Sequence, residues 1–518
     1  MRIYFKHGLS FLLLILVSIT TVYAAESVSK MGYLSPGTAG IRHLCLIYHG
    51  QERRVNWTEE NLLPYVAYVD QEGKPKDWLF DSFLFIEFAT DAKKSLYHYA
   101  PKAAQADGTD WKWLADAWFR KDTGLIGLER CVESVGKTLN DPEQKVNVVI
   151  TLPVPLHQVT EFNDLPGTTT SLNFNQAEDR QQALEWYIND VTKRFSAANY
   201  RHLNLLGFYW TGESIVSAQH ETVRWTADFL HRQHLKFYWI PYFTAAGVEH
   251  WRKVGFDAMM LQPNYFFRGD GGINRLMLAA KRAKILGSGV EMEFDARAFT
   301  SDEHYQRYWD YLDAGVKYGW MEEALLGWYE GGGALLRTFE EGNKGRAMYD
   351  ALYHFVKGEY TPESTDRLPE LMTIPPPEKG TNLALASRGA TVHGAIDDGQ
   401  PGLAPDRMIN GQSLMYTGTS GFTWFGIPGS VAVELPETAS INRTRTLFFD
   451  LDGRYYTYRI DTSTDGEQWE PAVDKSEGQW SSWQLDRFPE RQARFIRITG
   501  LSNSTGQNLC QIGSASSL

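Results

Sequence analysis

Apolar runs of strand length alternate with longer amphipathic stretches through residues 31–360 of this chain. The runs His43–His49, Phe83–Phe88, Val146–Leu152, Leu203–Trp210, Phe237–Phe243, Ala258–Pro263, Val290–Asp295 and Ala324–Tyr329 read as eight strands. Between them, Gln181–Phe195, Thr222–Gln233, Ile273–Leu286 and Asp302–Tyr318 read as helices with one apolar face. Strands that alternate with helices join as parallel βαβ units, because a parallel partner needs a long crossover. Eight such units predict an α/β fold, a closed (β/α)8 TIM barrel. The long connection from Thr90 to Asn140 holds Trp111, Trp113 and Trp118, and is expected to wall one side of a cleft.

The pattern changes after residue 360. Residues 361–380 contain Thr361-Pro-Glu-Ser-Thr and Pro375-Pro376-Pro377, which is linker chemistry, since proline stiffens the chain and stops helices. Residues 381–518 hold short strands such as Val431–Leu435, Thr446–Asp450, Tyr455–Ile460 and Arg494–Ile498, punctuated by Gly, Pro and Asn. No long amphipathic helix interrupts them, so this unit is expected to be an all-β sandwich.

At the other end, Arg2 and Lys6 precede the apolar run Leu9–Val22, and Val22-Tyr23-Ala24-Ala25 is a small-residue cleavage pattern. Residues 1–25 therefore read as a secretory signal peptide, and the mature protein is expected to be secreted or periplasmic with no membrane span. No cysteine follows the cleavage site to take a lipid. The formal net charge of −12 argues against a nucleic-acid partner, which calls for a basic stripe. The three cysteines, Cys45, Cys131 and Cys510, are an odd set; Cys45 is either a buried thiol or bonded to Cys131. The oligomeric state is not readable.

In a barrel of this type the chemistry sits at the C-terminal ends of the strands. The seventh strand reads Val290-Glu291-Met292-Glu293-Phe294-Asp295. Side chains alternate faces, so Glu291, Glu293 and Asp295 share the face toward the lumen. Buried carboxylates need a reason: either a salt-bridge network with barrel Arg or Lys residues, or a catalytic or substrate-holding role, in which like charges push at least one pKa up. Past the end of the fourth strand, in Gly207-Phe-Tyr-Trp-Thr-Gly-Glu213, Glu213 stands beside aromatic residues whose desolvation favours the protonated form of a general acid. A helix N-terminal role is the alternative for Glu213. Two such carboxyls can flank one glycosidic bond. His49, Glu87, Trp210, Tyr242, Gln262, Asn264, Tyr265, Arg268, Trp328 and Glu330, with Asp295, are the expected substrate-binding rim. The Gly331-Gly332-Gly333 run would let backbone approach a ligand. No Gly-x-Ser-x-Gly elbow and no His-Glu-x-x-His helix is present, so a serine triad and a zinc hydrolase are not supported.

This placement resembles the clan of retaining glycosidases built on (β/α)8 barrels. The resemblance implies Glu213 as acid/base and Glu293 as nucleophile, with Glu291, one layer deeper, as the rival. The chain departs from that clan where Gly212, not Asn, precedes the acid. Met31-Gly-Tyr-Leu-Ser, Trp78-Leu-Phe-Asp-Ser-Phe-Leu, Gly207-Phe-Tyr-Trp and Met259-Met-Leu-Gln-Pro-Asn-Tyr resemble the domain of unknown function 4855 family of exported bacterial proteins, which brings no settled activity.

Asn382-Leu-Ala, Asp406-Arg-Met-Ile-Asn-Gly411, Val431–Leu435, Tyr458–Trp469 and Arg494–Thr499 resemble the discoidin, or coagulation-factor C-type, jelly-roll sandwich, close to carbohydrate-binding modules. That resemblance implies sugar binding, with Trp424, Trp480 and Trp483 as stacking surfaces. It also implies a structural calcium with Asp406 and Asn410 as oxygen ligands; a purely structural appendage is the alternative. The expectation for the whole chain is a glycoside hydrolase acting on a poly- or oligosaccharide without a catalytic cofactor. The other reading is a non-catalytic glycan-binding or adhesion protein.

Overall fold

The computed structural model describes residues 32–98, 101, 104–267, 272–371, 380–396, 405–411, 423–449 and 454–517. The signal-peptide reading, Arg268 and the Pro375–Pro377 run fall outside them.

The first unit contains β1 (His43–Tyr48), α1 (Glu59–Val66), β2 (Ala67–Val69), β3 (Pro75–Trp78), β4 (Ser82–Ile86), α2 (Gly108–Trp118), α3 (Leu125–Leu139), β5 (Val146–Leu152), α4 (Ala177–Ala198) and β6 (Leu203–Trp210). It continues through α5 (His220–Arg232), β7 (Lys236–Trp239), β8 (Ala258–Leu261), α6 (Asn274–Leu286), β9 (Gly289–Glu293), α7 (Arg297–Thr300), α8 (Asp302–Tyr318), α9 (Trp320–Glu323), β10 (Leu326–Tyr329), α10 (Ala334–Arg337) and α11 (Gly342–Val356). Strands β1, β4, β5, β6, β7, β8, β9 and β10 close into a parallel barrel in chain order, with β1 pairing both β4 and β10. All eight expected strands are present, and β2 and β3 form a separate antiparallel pair.

Local sequence explains the element ends. Thr58 caps α1 by accepting from Asn61 N–H, and Ser301 caps α8 by accepting from His304 N–H. Gly287 ends α6 with φ of 58°, a left-handed position that a glycine takes without strain. The connection from β4 to β5 is not an open wall. It folds into α2 and α3, where Trp111 packs on Phe162, Phe174 and Tyr187, and Trp118 donates its Nε1–H to Tyr187.

Strand parity decides what enters the lumen. Leu46 and Tyr48 of β1 face inward beside Leu84 and Ile86 of β4, so Cys45, Ile47 and His49 face the helices. In β6 one extra residue, Leu206, breaks the register, since Leu205 pairs with Val148 and Gly207 with Val149. This bulge puts Tyr209 in the lumen and turns Trp210 outward. The bottom of the barrel is closed by residues 35–41, where Ala39 O accepts from Tyr238 and Gly40 O from Asn147.

Residues 361–371, expected as linker, lie against α8. Leu368 is buried in the barrel core, and the carbonyls of Leu368 and Pro369 accept from Lys317 and Tyr318. All three cysteines are buried free thiols, so Cys45 and Cys131 are not bonded.

The second unit is antiparallel: β11 (Thr391–His393), β12 (Thr423–Gly426), β13 (Gly429–Phe448), β14 (Tyr456–Ser463), β15 (Glu470–Trp480), β16 (Trp483–Asn503) and β17 (Leu509–Ser517). The order is β12-β17-β13-β16-β14-β15, with β11 on β13. Alternate residues of the long strands, such as Val431, Val433 and Leu435 of β13 and Ile496 and Ile498 of β16, meet in its core. Val431–Leu435 and Thr446–Asp450, read from sequence as separate strands, meet in one strand, β13, which bends through two register shifts and ends at Phe448.

Candidate active site

At the C-terminal end of the barrel strands lies a cavity of about 620 Å³. Seven aromatic residues line it: Tyr48, Phe88, Tyr209, Tyr242, Phe243, Phe267 and Tyr329. Glu213, from beyond β6, and Glu291, from β9, both open into it. Thr244, Gln262, Asn264 and Arg275 complete the polar lining.

Glu291 is 3% exposed. It sits beside Gly327 of β10, where an added side chain would crowd Met260 Sδ at 3.2 Å and meet the Glu291 chain in ordinary contact at 3.6 Å. Burial is the main cause that raises the Glu291 carboxyl well above the ordinary range; the neighbouring Glu293 and Glu213 push the same way.

Glu213 is half-buried and is oriented by Gln262, whose Nε2 donates to its Oε1 at 3.0 Å and to the Ile240 carbonyl at 2.8 Å. Burial raises its pKa, and the Gln262 donor opposes that shift. The loop that carries it is fixed by Trp239 Nε1–H on Gly212 O at 2.7 Å and by Ile215 N–H on Ala246 O at 2.9 Å.

Glu293 lies on the lumen column with Glu291 but does not line the cavity. Its Oε2 accepts from the Tyr311 hydroxyl of α8. Burial pushes the Glu293 pKa up to about 8, while the Tyr311 hydrogen bond works against the rise. Asp295 departs from the expected triad. The strand has ended by then, and Arg297 holds both its oxygens, with Nη2 to Oδ2 at 2.7 Å and Nε to each at 3.0 Å. The salt-bridge reading therefore holds for Asp295.

Tyr242, Gln262 and Asn264 are the expected rim residues that line the cavity. The others lie elsewhere for stated reasons. His49, buried on the helix side of β1, places Nε2 2.9 Å from Ala117 O. Glu87 is fully buried and paired with Arg54 at 2.7 Å. Trp210 is turned out by the bulge and meets Phe237 edge-on. Trp328 faces the helices, donates to His43 Nδ1 and packs on Phe80 and Phe355. Tyr265 is buried with its hydroxyl on Asp310 at 2.8 Å. Glu330 accepts from Tyr65 and from the backbone of Gly333 and Leu335, and so pins the start of α10.

Sequence reasoning passed over Tyr48, Phe88, Tyr209 and Phe267 as site residues. The parity of each strand was the signal for Tyr48; for Tyr209 the bulge hides it. In the second unit, Trp480 and Trp483 each hold a cation over a ring face, Lys475 and Arg445, both at 4.0 Å. Asp406 is exposed and Asn410 half-buried. Among the described residues, no group of three or more His, Cys, Asp or Glu is arranged to hold a metal ion. No helix among them is long and apolar enough to cross a membrane.

Residues 43–354 match the family model described as Domain of unknown function (DUF4855), and residues 395–513 match the F5/8 type C domain. The human BTB/POZ domain-containing protein 9 is 33% identical over 101 residues, 19% of this chain and 16% of that protein. The Drosophila melanogaster protein of the same name is 33% identical over 112 residues, 21% of this chain and 16% of that protein. The chain thus spans 16% of the length of these curated relatives. Among solved structures, chitosan-binding module 1 of a chitosanase/glucanase from Paenibacillus sp. IK-5 is 19% identical, covering 27% of this chain and 99% of that one, TM-score 0.22. The CBM32 of AlyQ, in complex with 4,5-unsaturated mannuronic acid, is 22% identical, covering 24% of this chain and 92% of that one, TM-score 0.21.

Proposed function

The chain belongs to the family described as Domain of unknown function (DUF4855), and we propose that its barrel is a glycoside hydrolase acting on a poly- or oligosaccharide. The observation that carries this reading is that Glu213 and Glu291, from the ends of the fourth and seventh barrel strands, line one aromatic-walled cavity. Hydrolysis of a glycosidic bond needs one carboxyl that gives a proton and one that is ionised. Burial raises Glu213, Glu291 and Glu293 alike, which favours a retained proton for the acid step, and carboxyls this close do not all lose theirs at once. Glu213 stands nearer the mouth, where solvent can restore its proton, and is assigned as acid/base. Glu291, beneath it, is assigned as the facing carboxylate. The tyrosine and phenylalanine walls suit the apolar C–H faces of sugar rings, and the cavity volume is in the range of small-ligand pockets.

The F5/8 type C domain fits a role in holding the same polysaccharide. Export to the cell surface or periplasm, where such polymers are met, is part of this proposal. So is a structural calcium on Asp406 and Asn410.

The test is a screen of the wild type on aryl glycosides and polysaccharides, followed by Glu213→Gln and Glu291→Gln on the substrate that is cleaved. Each variant is expected to lose about 10²- to 10⁴-fold in kcat. Glu213→Gln should lose least on aryl glycosides whose leaving group needs no proton. Turnover that survives both substitutions overturns the assignment. Tight glycan binding with no turnover of any substrate favours the non-catalytic reading.

A further inference from the structure

Glycosidic hydrolysis uses two carboxyls, and this site holds a third. Glu293 follows Glu291 by two residues on the lumen face of β9 and is 1% exposed. It is absent from the cavity wall. Its contacts run the other way, into α8. Tyr311 of that helix donates to Glu293 Oε2, and the same hydroxyl accepts the backbone N–H of Tyr265 at 3.3 Å. The Asn264 N–H also faces the Glu293 carboxyl, while Oε1 is left without a hydrogen bond of its own. Asn264 itself sits at φ of 58°, a left-handed position that costs a non-glycine residue strain, and its side chain reaches the cavity.

We propose, resting on the hydrolase reading above, that Glu293 is a positioning residue rather than the nucleophile. Braced by Tyr311, it fixes the Asn264 turn and sets the charge behind the Glu213–Glu291 pair. Five groups face it: Glu291 on its own strand, Glu213 beyond β6, Arg275 on α6, Tyr311 on α8 and Tyr329 on β10. A carboxyl in that position can hold one proton of the cluster and leave the pair with a single proton between them, one acid and one base.

The experiment combines two readouts on the full chain. Carbon-13 NMR titration of the Glu side chains, on substrate-free protein, is expected to show a step near pH 8. That step should vanish in Glu293→Gln. In Tyr311→Phe it should move to higher pH, because the lost donor favoured the ionised form. Kinetics then separate the roles: Glu293→Gln, an isostere of the protonated acid, should keep kcat within about tenfold of wild type on an aryl glycoside, while Glu291→Gln does not. Its alkaline limb should move to lower pH, because one like charge has left the cluster. A merely structural residue would lose its own step but leave the pH profile of the kinetics in place.

Loss of activity in Glu293→Gln equal to that of Glu291→Gln, or covalent trapping of a fluorosugar on Glu293, overturns the proposal. So does a titration unchanged by Glu293→Gln, whatever the sugars show. A wild type that cleaves no glycoside overturns the hydrolase reading instead, and the titration, which needs no substrate, still decides whether Glu293 holds the proton.

Discussion

Removing the Glu87 carboxylate should unfold the barrel more easily without touching sugar binding. Its side chain is 0% exposed and that of Arg54 20%. The carboxylate accepts from Arg54 Nη2 at 2.7 Å, Arg54 Nε at 3.0 Å, Gln51 Nε2 at 2.9 Å and Phe88 N–H at 2.9 Å. Glu87→Ala strands the guanidinium and takes one acceptor from the Gln51 amide, which keeps the Ala89 carbonyl at 2.8 Å. Breaking a buried pair by removing one partner costs about 3–5 kcal/mol. The exposed fifth of Arg54 lets water recover part of this, so the loss should fall near the lower end, at about 3 kcal/mol. Arg54→Met leaves the carboxylate buried and should cost as much. The double variant Glu87→Leu with Arg54→Met removes both charges and should be less damaging than the sum of the singles, because no charge is left stranded. The assay is urea unfolding followed by tryptophan fluorescence for wild type, both singles and the double, with sugar affinity measured beside it. An unfolding midpoint unchanged in Glu87→Ala, with affinity reduced more than tenfold, would show Glu87 to be a ligand contact and refute the reasoning.

Two further outcomes follow from burial. Glu330 and Glu293 are pushed by burial to about 7 and about 8 in the folded state, above the 4.5 of an unfolded chain. The folded form therefore binds more protons than the unfolded form across this window. Stability from these groups is full below pH 4.5 and is lost as pH rises through 7 and 8, so the thermal midpoint should be higher at pH 5 than at pH 8. Glu330→Gln should flatten the slope between pH 4.5 and 7; a midpoint that climbs across the window contradicts this. Cys45, Cys131 and Cys510 are buried free thiols whose pKa values burial raises, so Ellman's reagent should find none in the native protein and all three in denaturant. Rapid native labelling would count against it.

Much of the barrel was legible because strand and helix periods are local properties of the chain. Val290-Glu291-Met292-Glu293 shows its lumen column by alternation alone, and Asp302–Tyr318 is the helix as read. The same rule, applied to every strand, separates Tyr48 from His49 and Tyr329 from Trp328. It would have moved two expected rim residues into the helix-facing layer. For Trp210 plain alternation fails, because the bulge at Leu206 is made by pairing with β5; Gly207, an isolated glycine within β6, is the mark it leaves in the sequence.

By itself, then, the order of residues determined eight strands with their intervening helices, a second all-β unit, and an acidic column on the seventh strand. These depend on neighbours a few positions apart, and such spacings survive any folding of the chain. Which acids face the cavity was decided only in three dimensions. Asp295 is neutralised by Arg297 once the strand ends, Glu293 is drawn back by Tyr311 from a helix eighteen residues on, and Glu291, paired across from Gly327 of β10, opens into the cavity. A carboxyl's charge and reach are set by the partners that packing brings to it, and those partners come from segments whose distance along the chain carries no trace of their contact.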